Sequence, residues 1–424
     1  MVGSISLALC VGLAPLQQPQ SESIYRQVIR NPTGTNGYEE YCRAVDLIRQ
    51  PEVQRLSAPA FSGEVPDRLA AKRALAQAAR PALDLVRAGN RKTVFDPRPK
   101  LDAFSFLPEL NGFKELVKAF ACESYVRFAD GSAAGGVASI VEGLEFSHRI
   151  SGRTLITYLV ANACTLILLS EVHERLPHLS HAHAVQLEAA AGSLLSRNAS
   201  LERVLAGEHQ SSLTSLDQVL ADQEKLKDAL DEGDAIILVT RLRALRPPEL
   251  AQLRSEFATR LRHNHERFLG VLRQPLHQWG TFKDEPFREE EPDWSSTAPL
   301  VDLLVDLLSF PPSTQLLTVE AKRIAQLTLM RAHLRIIQFQ WRHQRLPGSL
   351  AELQAPEIVT DPLAQAPFKY VLLSPSAYEL SSVGIFDTGP IHLRYRRQHV
   401  DSGSSNEPPE LPRLSAHILL GTRR

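Results

Sequence analysis

From Thr314 to His343 the apolar residues Leu317, Ala321, Ile324, Leu327, Met330, Leu334, Ile337 and Trp341 recur at steps of three and four. Only an α-helix brings positions with that spacing onto one face, so this stretch commits the chain to a long helix with a buried seam, capped at its start by Ser313 or Thr314. Beyond Leu346 the period changes. Pro347-Gly348 stops the helix and Ser349–Leu353 suits one helical turn. The runs FKYVLL and YELSSVG, joined by SPSA, then alternate like two antiparallel strands of a hairpin. A lone hairpin is marginal in water, so its apolar face needs a cover, and the long helix is the nearest one. Met330, Leu334, Ile337 and Trp341 of the helix seam are expected to meet the aromatic and aliphatic face of the hairpin, formed among Phe368, Tyr370, Val371, Leu373, Tyr378 and Leu380.

Helical texture also dominates upstream. Asp67 to Gly89 is rich in Ala, Leu and Arg, with Pro81 expected to kink or split the helix and Gly89 at its C-cap. Residues 90–108 read as a surface loop that packs its aromatics inward. Leu155 to Leu169 is the only internal candidate for a membrane span, but it is short and carries Thr157, Asn162 and Thr165, which favours a buried core helix. Helical stretches follow at Ala184–Leu205, Leu213–Leu230, Ile236–Leu245 and Pro248–Leu272. The second of these carries a stripe of Leu216, Val219, Leu220, Leu226 and Leu230 opposite charged residues. Asp284 to Pro299 is charged and proline-rich and reads as a surface connection. The expected fold class is mainly α: a helical body with a small C-terminal module of helix plus antiparallel β. The expected division is residues 1–20 as a signal or anchor segment, 21–283 as the helical domain, 284–312 as a connection, 313–400 as the long helix with its hairpin, and 401–424 as a tail. Within that tail AHILL suits a last strand.

Charge and cysteine content narrow the function classes. With 47 basic against 48 acidic residues there is no single-sign field to draw nucleic acid, so no nucleic-acid partner is expected. The four cysteines, Cys10, Cys42, Cys122 and Cys164, form no C-x-x-C pair, which argues against a zinc knuckle or a dense disulfide framework but allows one bridge, such as Cys122 to Cys164. Met1 to Leu16 contains no charged side chain. The run suits the apolar region of a signal peptide or a single N-terminal membrane anchor, although the basic start of a signal peptide is missing; a buried N-terminal element is the other reading. Export is favoured.

The order of features after the long helix carries a family likeness. RLPGSLAEL, then DPLAQAPFKY from Asp361 to Tyr370, then YELSSVGIFD from Tyr378 to Asp387 resembles the C-terminal part of type II secretion pseudopilins, where a G-x-Y-P turn, a D-P-W/F-G segment and an S-x-G-x-D ending recur. The resemblance covers about 75 residues and implies an extracytoplasmic location without naming an activity. It departs from the family because the helix lies more than 300 residues into the chain, so a polymerising pilin subunit is not implied. Asp387 is followed by Thr388, Gly389 and Pro390 with no second acid nearby, so the calcium site of major pseudopilins is not expected. Pro347, Asp361, Pro362 and Gly384 are read as fold determinants: a helix stop, and a turn in which Asp accepts backbone hydrogen bonds ahead of a fixed φ.

One cluster suggests metal chemistry: VHERLPHLSHAH, with His173, Glu174, His178, His181 and His183. Zinc proteases place two His at i and i+4 on one helix face with Glu between them. Here His173 and His178 are five apart and Pro177 interrupts the helix, so solvated or capping histidines are the expectation and no metal or other cofactor is assigned. Arg260, His263, His265 and Arg267 spread around a helix and make a poor phosphate cradle. No nucleophile elbow, Walker loop or dinucleotide fingerprint occurs. The expected function is therefore a non-catalytic extracytoplasmic protein of the envelope or of secretion, with a protein partner there. The alternative is a metal-dependent hydrolase built on the histidine cluster.

Overall fold

In the computed structural model the described residues are 22–61, 67–98, 101, 105–152, 154–197, 201–226, 232–281, 297–309, 314–384 and 392–396. The expected signal segment, the residues around Asp387 and the 401–424 tail lie outside them. Helices fill most of the chain: α1 Ile24–Val28, α2 Gly37–Ile48, α3 Pro51–Phe61, α4 Arg68–Asn90, α5 Glu109–Ala129, α6 Ala133–Arg149, α7 Leu155–Arg175, α8 His181–Arg197, α9 Leu201–Ala221, α10 Glu232–Ala244, α11 Pro247–Leu272, α12 Ala298–Leu308, α13 Thr314–His343 and α14 Pro356–Val359. The strands follow, β1 Thr360–Asp361 pairing with β2 Ala366–Pro367, and a second antiparallel sheet of β3 Lys369–Ser374, β4 Ala377–Ser381 and β5 His392–Arg396 in the order β3-β4-β5. The protein is mainly α with a small C-terminal helix-plus-antiparallel-β region, as expected.

Two helices carry the architecture. The sequence of α7 is apolar nearly all round, which a helix tolerates only when it is covered on most sides. It is long and apolar enough to cross a membrane, and 61% of its most apolar window is buried inside the protein. Its Tyr158 meets Glu320 of α13 and its His173 meets His333, so α7 and α13 run side by side in the same direction. Helix α13 leaves one apolar cluster at Leu316, Leu317, Ala321 and Ala325 and enters the main one at Leu327, Met330, Leu334 and Ile337. It is buried well beyond the predicted seam, because Leu329, Ala332, His333 and Ile336 are covered as well. The main core continues without a break from α2, α4 and α5 through α13 to Phe368, Tyr378 and Leu380. The C-terminal sheet therefore shares the core of the body. A third cluster, of Leu216, Val219, Leu253, Phe257, Leu300 and Leu304, joins α9, α11 and α12.

Several expectations are corrected. Helix α4 runs through Pro81 without a break, and that residue lies on its exposed face. Gly89 lies inside α4, not at its cap. A Cβ there would sit 2.5 Å from the Tyr41 ring and 2.8 Å from the Gly37 carbonyl oxygen, so the glycine pair lets α2 and α4 cross closely. Phe95 and Phe106 are exposed, and the loop before α5 is held by polar contacts: the Asn36 side chain bonds both backbone groups of Phe95, at 2.8 and 3.2 Å. The Leu213–Leu230 helix already ends at Ala221 and is followed by a 3-10 turn at Gln223–Leu226. Residues 298–308, placed in the connection, form α12, whose Leu300, Val301, Leu304 and Leu308 are buried. Cys122 and Cys164 are free and buried, each thiol pushed up to about 12 by desolvation, so the allowed bridge is not formed.

Candidate interaction site

The C-terminal module is positioned by one carboxylate. Asp361 is fully buried. Its Oδ1 accepts the Leu363 N–H at 2.9 Å, the Asx turn that Asp-Pro favours. Its Oδ2 accepts the Ser382 hydroxyl at 2.7 Å and the N–H groups of Val383 and Gly384 at 2.7 and 2.9 Å. One side chain thus ties the turn after β1 to the chain leaving β4, across some twenty residues of sequence. Pro362 fixes φ inside this turn, and Gln365 closes it in the left-handed region at φ 53°. Gly384 is required by space, since a Cβ there would stand 2.3 Å from Leu363 Cβ and 2.7 Å from its carbonyl carbon. Pro347 and Tyr370 add a second tie, with the Tyr370 hydroxyl donating to the Pro347 carbonyl at 2.8 Å. Burial pushes the Tyr370 phenol up to about 12.

A row of rings joins sheet to body. Tyr370 lies 5.5 Å from Tyr378, Tyr378 lies 5.5 Å from His333, and His333 lies 6.0 Å from His173, centroid to centroid. The His333 Nδ1 and the Tyr378 hydroxyl are 3.1 Å apart, and His333 is fully buried. Burial, with His173 adding to it, drives the His333 imidazole well below its ordinary value, so the ring is neutral. The predicted hairpin-to-helix contact is present: Met330, Leu334 and Ile337 share one buried cluster with Phe368, Tyr378 and Leu380, and His333 adds a polar contact to Tyr378.

Trp341 is not part of that contact. It is 49% exposed, and its indole N–H donates to the Leu179 carbonyl at 2.8 Å. Helix α13 leaves the body after Gln340, and Arg342 to Arg345 are exposed, so the last step of the apolar seam falls where there is no longer a core to face.

The other histidines are placed apart. His178 is exposed in the 3-10 turn Leu176–His178, its pKa lowered by desolvation and by Arg175. His181 accepts from Arg342 Nε at 3.1 Å. His183 accepts the Ser180 N–H at 3.4 Å and donates its own to Ser180 Oγ at 3.3 Å, a reciprocal cap on α8. Glu174 faces Arg68 at 3.9 Å and Arg175 at 3.7 Å. Among the described residues no group of three or more His, Cys, Asp or Glu is arranged to hold a metal ion.

Sequence reading missed three buried polar networks. Glu171 lies between Lys72 at 3.8 Å and Arg175 at 2.9 Å, and both cations stack on Tyr125, at 4.0 and 4.2 Å from its centroid. Arg98 joins Asp96 and Glu109, and Tyr38 donates to Glu109 at 2.8 Å. Tyr158 donates to Glu320, which also holds Arg323 at 2.6 and 2.8 Å. Each is spent on tying helices together. The signal that could have found them is a charged residue on an otherwise apolar face, such as Glu320 one position before Ala321 in the α13 seam.

The edge of the second sheet is different in kind. β3 pairs with β4 on one side, and no strand among the described residues pairs with its other side. Val371, Leu372 and Leu373 on that strand are 38%, 45% and 49% exposed. Leu372 opposes Tyr378 and Val371 opposes Glu379, so apolar groups project from both faces of an open edge. Such edges recruit a further strand unless something covers them.

No family model, curated protein or solved structure matches the chain.

Proposed function

We propose that this protein is a non-catalytic, extracytoplasmic interaction protein of the cell envelope or of secretion, in which the helical body holds a small pseudopilin-like β module and presents its open edge to an extended segment of a protein partner. The observation that carries the reading is the β3 edge, with three consecutive apolar residues 38–49% exposed on a strand whose position is fixed by Asp361 and by the Tyr378–His333 contact. Strand addition uses such an edge: backbone hydrogen bonds supply affinity and alternate side chains supply specificity. The resemblance of the ending to pseudopilins and the uncharged N-terminal run support the extracytoplasmic part.

The test is photocrosslinking in intact cells with a reactive residue at Leu372, compared with the same residue at the exposed Arg262 on α11, together with protease accessibility before and after inner-membrane lysis. The reading expects a discrete adduct from position 372 that is lost in Val371→Lys and absent from 262, in a protein reached by protease before lysis. Protection until lysis, or equal adducts from both positions, would sink it. Stoichiometric zinc in the purified protein would instead favour the metal-dependent hydrolase.

A further inference from the structure

Along Arg260–Phe268, helix α11 turns His263 out to solvent and His265 inward, where its ring meets that of His209 on α9. We propose that His209 and His265 form an acid-sensitive clasp between α9 and α11, closed while both imidazoles are neutral and opened when both carry a proton.

Three cross-helix pairs set the geometry. Glu202 faces Arg273 at 3.5 Å, His209 faces His265 at 5.5 Å between ring centroids, and Asp217 holds Arg254 at 2.7 and 3.1 Å. The two helices are therefore antiparallel, with the histidines near the middle of their contact. Apolar packing is divided around them: Val204 and Leu205 share the second cluster with Phe268, whereas Leu216 and Val219 share the third with Leu253, Phe257 and Leu261. The imidazoles fill the gap between two cores. Both are half-buried, and the His209 Nδ1 is buried without a hydrogen-bond partner, so a proton placed there stays unsolvated until the helices part. Of the charged groups facing the pair, Arg262 of α11 is a further cation that opposes charge on His209, and Glu266 favours charge on His265. The neighbouring elements add no free acid: Glu208 accepts the Leu155 N–H at the start of α7, Asp302 of α12 holds Arg260 at 3.1 Å, and Glu320 of α13 holds Arg323 at 2.6 Å. The 3-10 turn Leu276–Thr281 carries one titratable group, His277, which is exposed. Neutral rings pack at this distance and two imidazolium rings repel. Opening lets each ring take up a proton that the closed form resists, so the closed form is fully stable above about pH 6.5 and loses stability as pH falls below it.

Amide hydrogen exchange on the full chain at pH 7.5 and pH 5, corrected for the pH dependence of the exchange chemistry, tests the clasp at Leu205 and Leu261, with Leu83 in α4 as the control for global opening. The expected result is at least about tenfold more opening at Leu205 and Leu261 at pH 5, with a smaller change at Leu83. Combining His209→Gln with His265→Gln leaves polar groups that cannot charge, and should abolish the acid response while keeping protection at pH 7.5. His265→Lys alone sets a cation beside His209 and should reduce protection of both amides already at pH 7.5. An acid response that survives in the glutamine variant, or loss of its protection at pH 7.5, overturns the proposal, because the rings are then packing groups and not proton sensors. So does full protection at pH 7.5 in the lysine variant, or an acid response equal at all three amides, which is global unfolding.

Discussion

Glu171 and Asp361 are both buried carboxylates, yet they do opposite jobs. Glu171 sits in the helical body between two cations, Lys72 and Arg175, which stack on Tyr125 and help hold α4, α5 and α7 together. Asp361 sits in the module, where it accepts hydrogen bonds from three backbone N–H groups and one hydroxyl. The body spends its polar groups on helix-to-helix ties and buries its apolar surface around α7 and α13. The module spends one carboxylate on fixing two turns, and among the described residues it leaves the apolar strand β3 unpaired on one side. The contrast teaches where to look for function: a region closed on itself has little left to offer, whereas a rigidly placed open edge can accept another chain.

The largest effect is expected in the body. Glu171→Ala leaves Lys72 and Arg175 with a buried positive charge facing Tyr125, and removal of one member of a buried ion pair costs about 4 kcal/mol. Denaturant unfolding followed by far-UV circular dichroism should show it as a global loss. A cost below about 1 kcal/mol would mean that Glu171 is not what neutralises these cations, and the contrast would lose its first half.

Asp361→Ala strips four donors of their acceptor, three in buried positions and one part-buried. At about 1–3 kcal/mol for each buried group left unsatisfied, partly relieved by water at the turn, a net loss of about 3 kcal/mol is expected. It should fall on the module first. Proteolysis between Thr360 and Ser382 should appear at denaturant concentrations that leave body helicity intact. Simultaneous loss of both signals would show that body and module unfold as one unit despite their different construction.

The joint between the two regions carries a pH dependence. His333 is neutral in the folded protein, its pKa far below the ordinary value through burial and the nearby His173. The unfolded chain takes up a proton near pH 6.5, so below that pH it binds more protons than the folded state and stability falls as pH drops. The contribution is complete above about pH 6.5 and declines by up to about 1.4 kcal/mol per unit beneath it. His178, His209 and His265 are shifted the same way and add to the slope, so the comparison that isolates His333 is wild type against His333→Gln at pH 7.5 and 5.5. Identical slopes would remove His333 from the account.

How much of this was legible in the sequence follows from what periodicity encodes. Spacing of three and four found α13 to its last residue, and alternation found β3 and β4, because both patterns record which side of an element is covered. Asp361 and Pro362 could be read as fold determinants because the Asx turn they open is local; the demand on Gly384 comes from Leu363, 21 residues away. Partners across helices are not local: nothing near His333 in sequence announces Tyr378, and nothing near Lys72 announces Glu171. Trp341 shows the same limit from the other side. Its step continues the seam, but where a helix leaves the body is a property of the whole fold. Truncation of Trp341 to Ala should therefore cost about 1 kcal/mol, the hydrogen bond to Leu179 plus partial burial, well under the 3–5 kcal/mol of a core tryptophan.

The smallest stability effect is the most informative about the edge. Val371, Leu372 and Leu373 are apolar but 38–49% exposed, so exposure alone does not say whether they help the module to fold or serve something that binds it. If they are structural, Leu372→Lys should cost 2 kcal/mol or more, as a polar group in a packed site does. If they form an accepting edge, the same substitution should lie within about 0.5 kcal/mol of wild type, because an edge strand tolerates lysine and natural sheets use it there to prevent strand addition. The outcome expected is the second: an unchanged unfolding midpoint together with loss of the adduct formed from this edge, read from a photoreactive residue moved to position 373. A large destabilisation would place Leu372 in the core that Tyr378 and Leu380 begin, and the difference between a closed body and an open module would be one of degree.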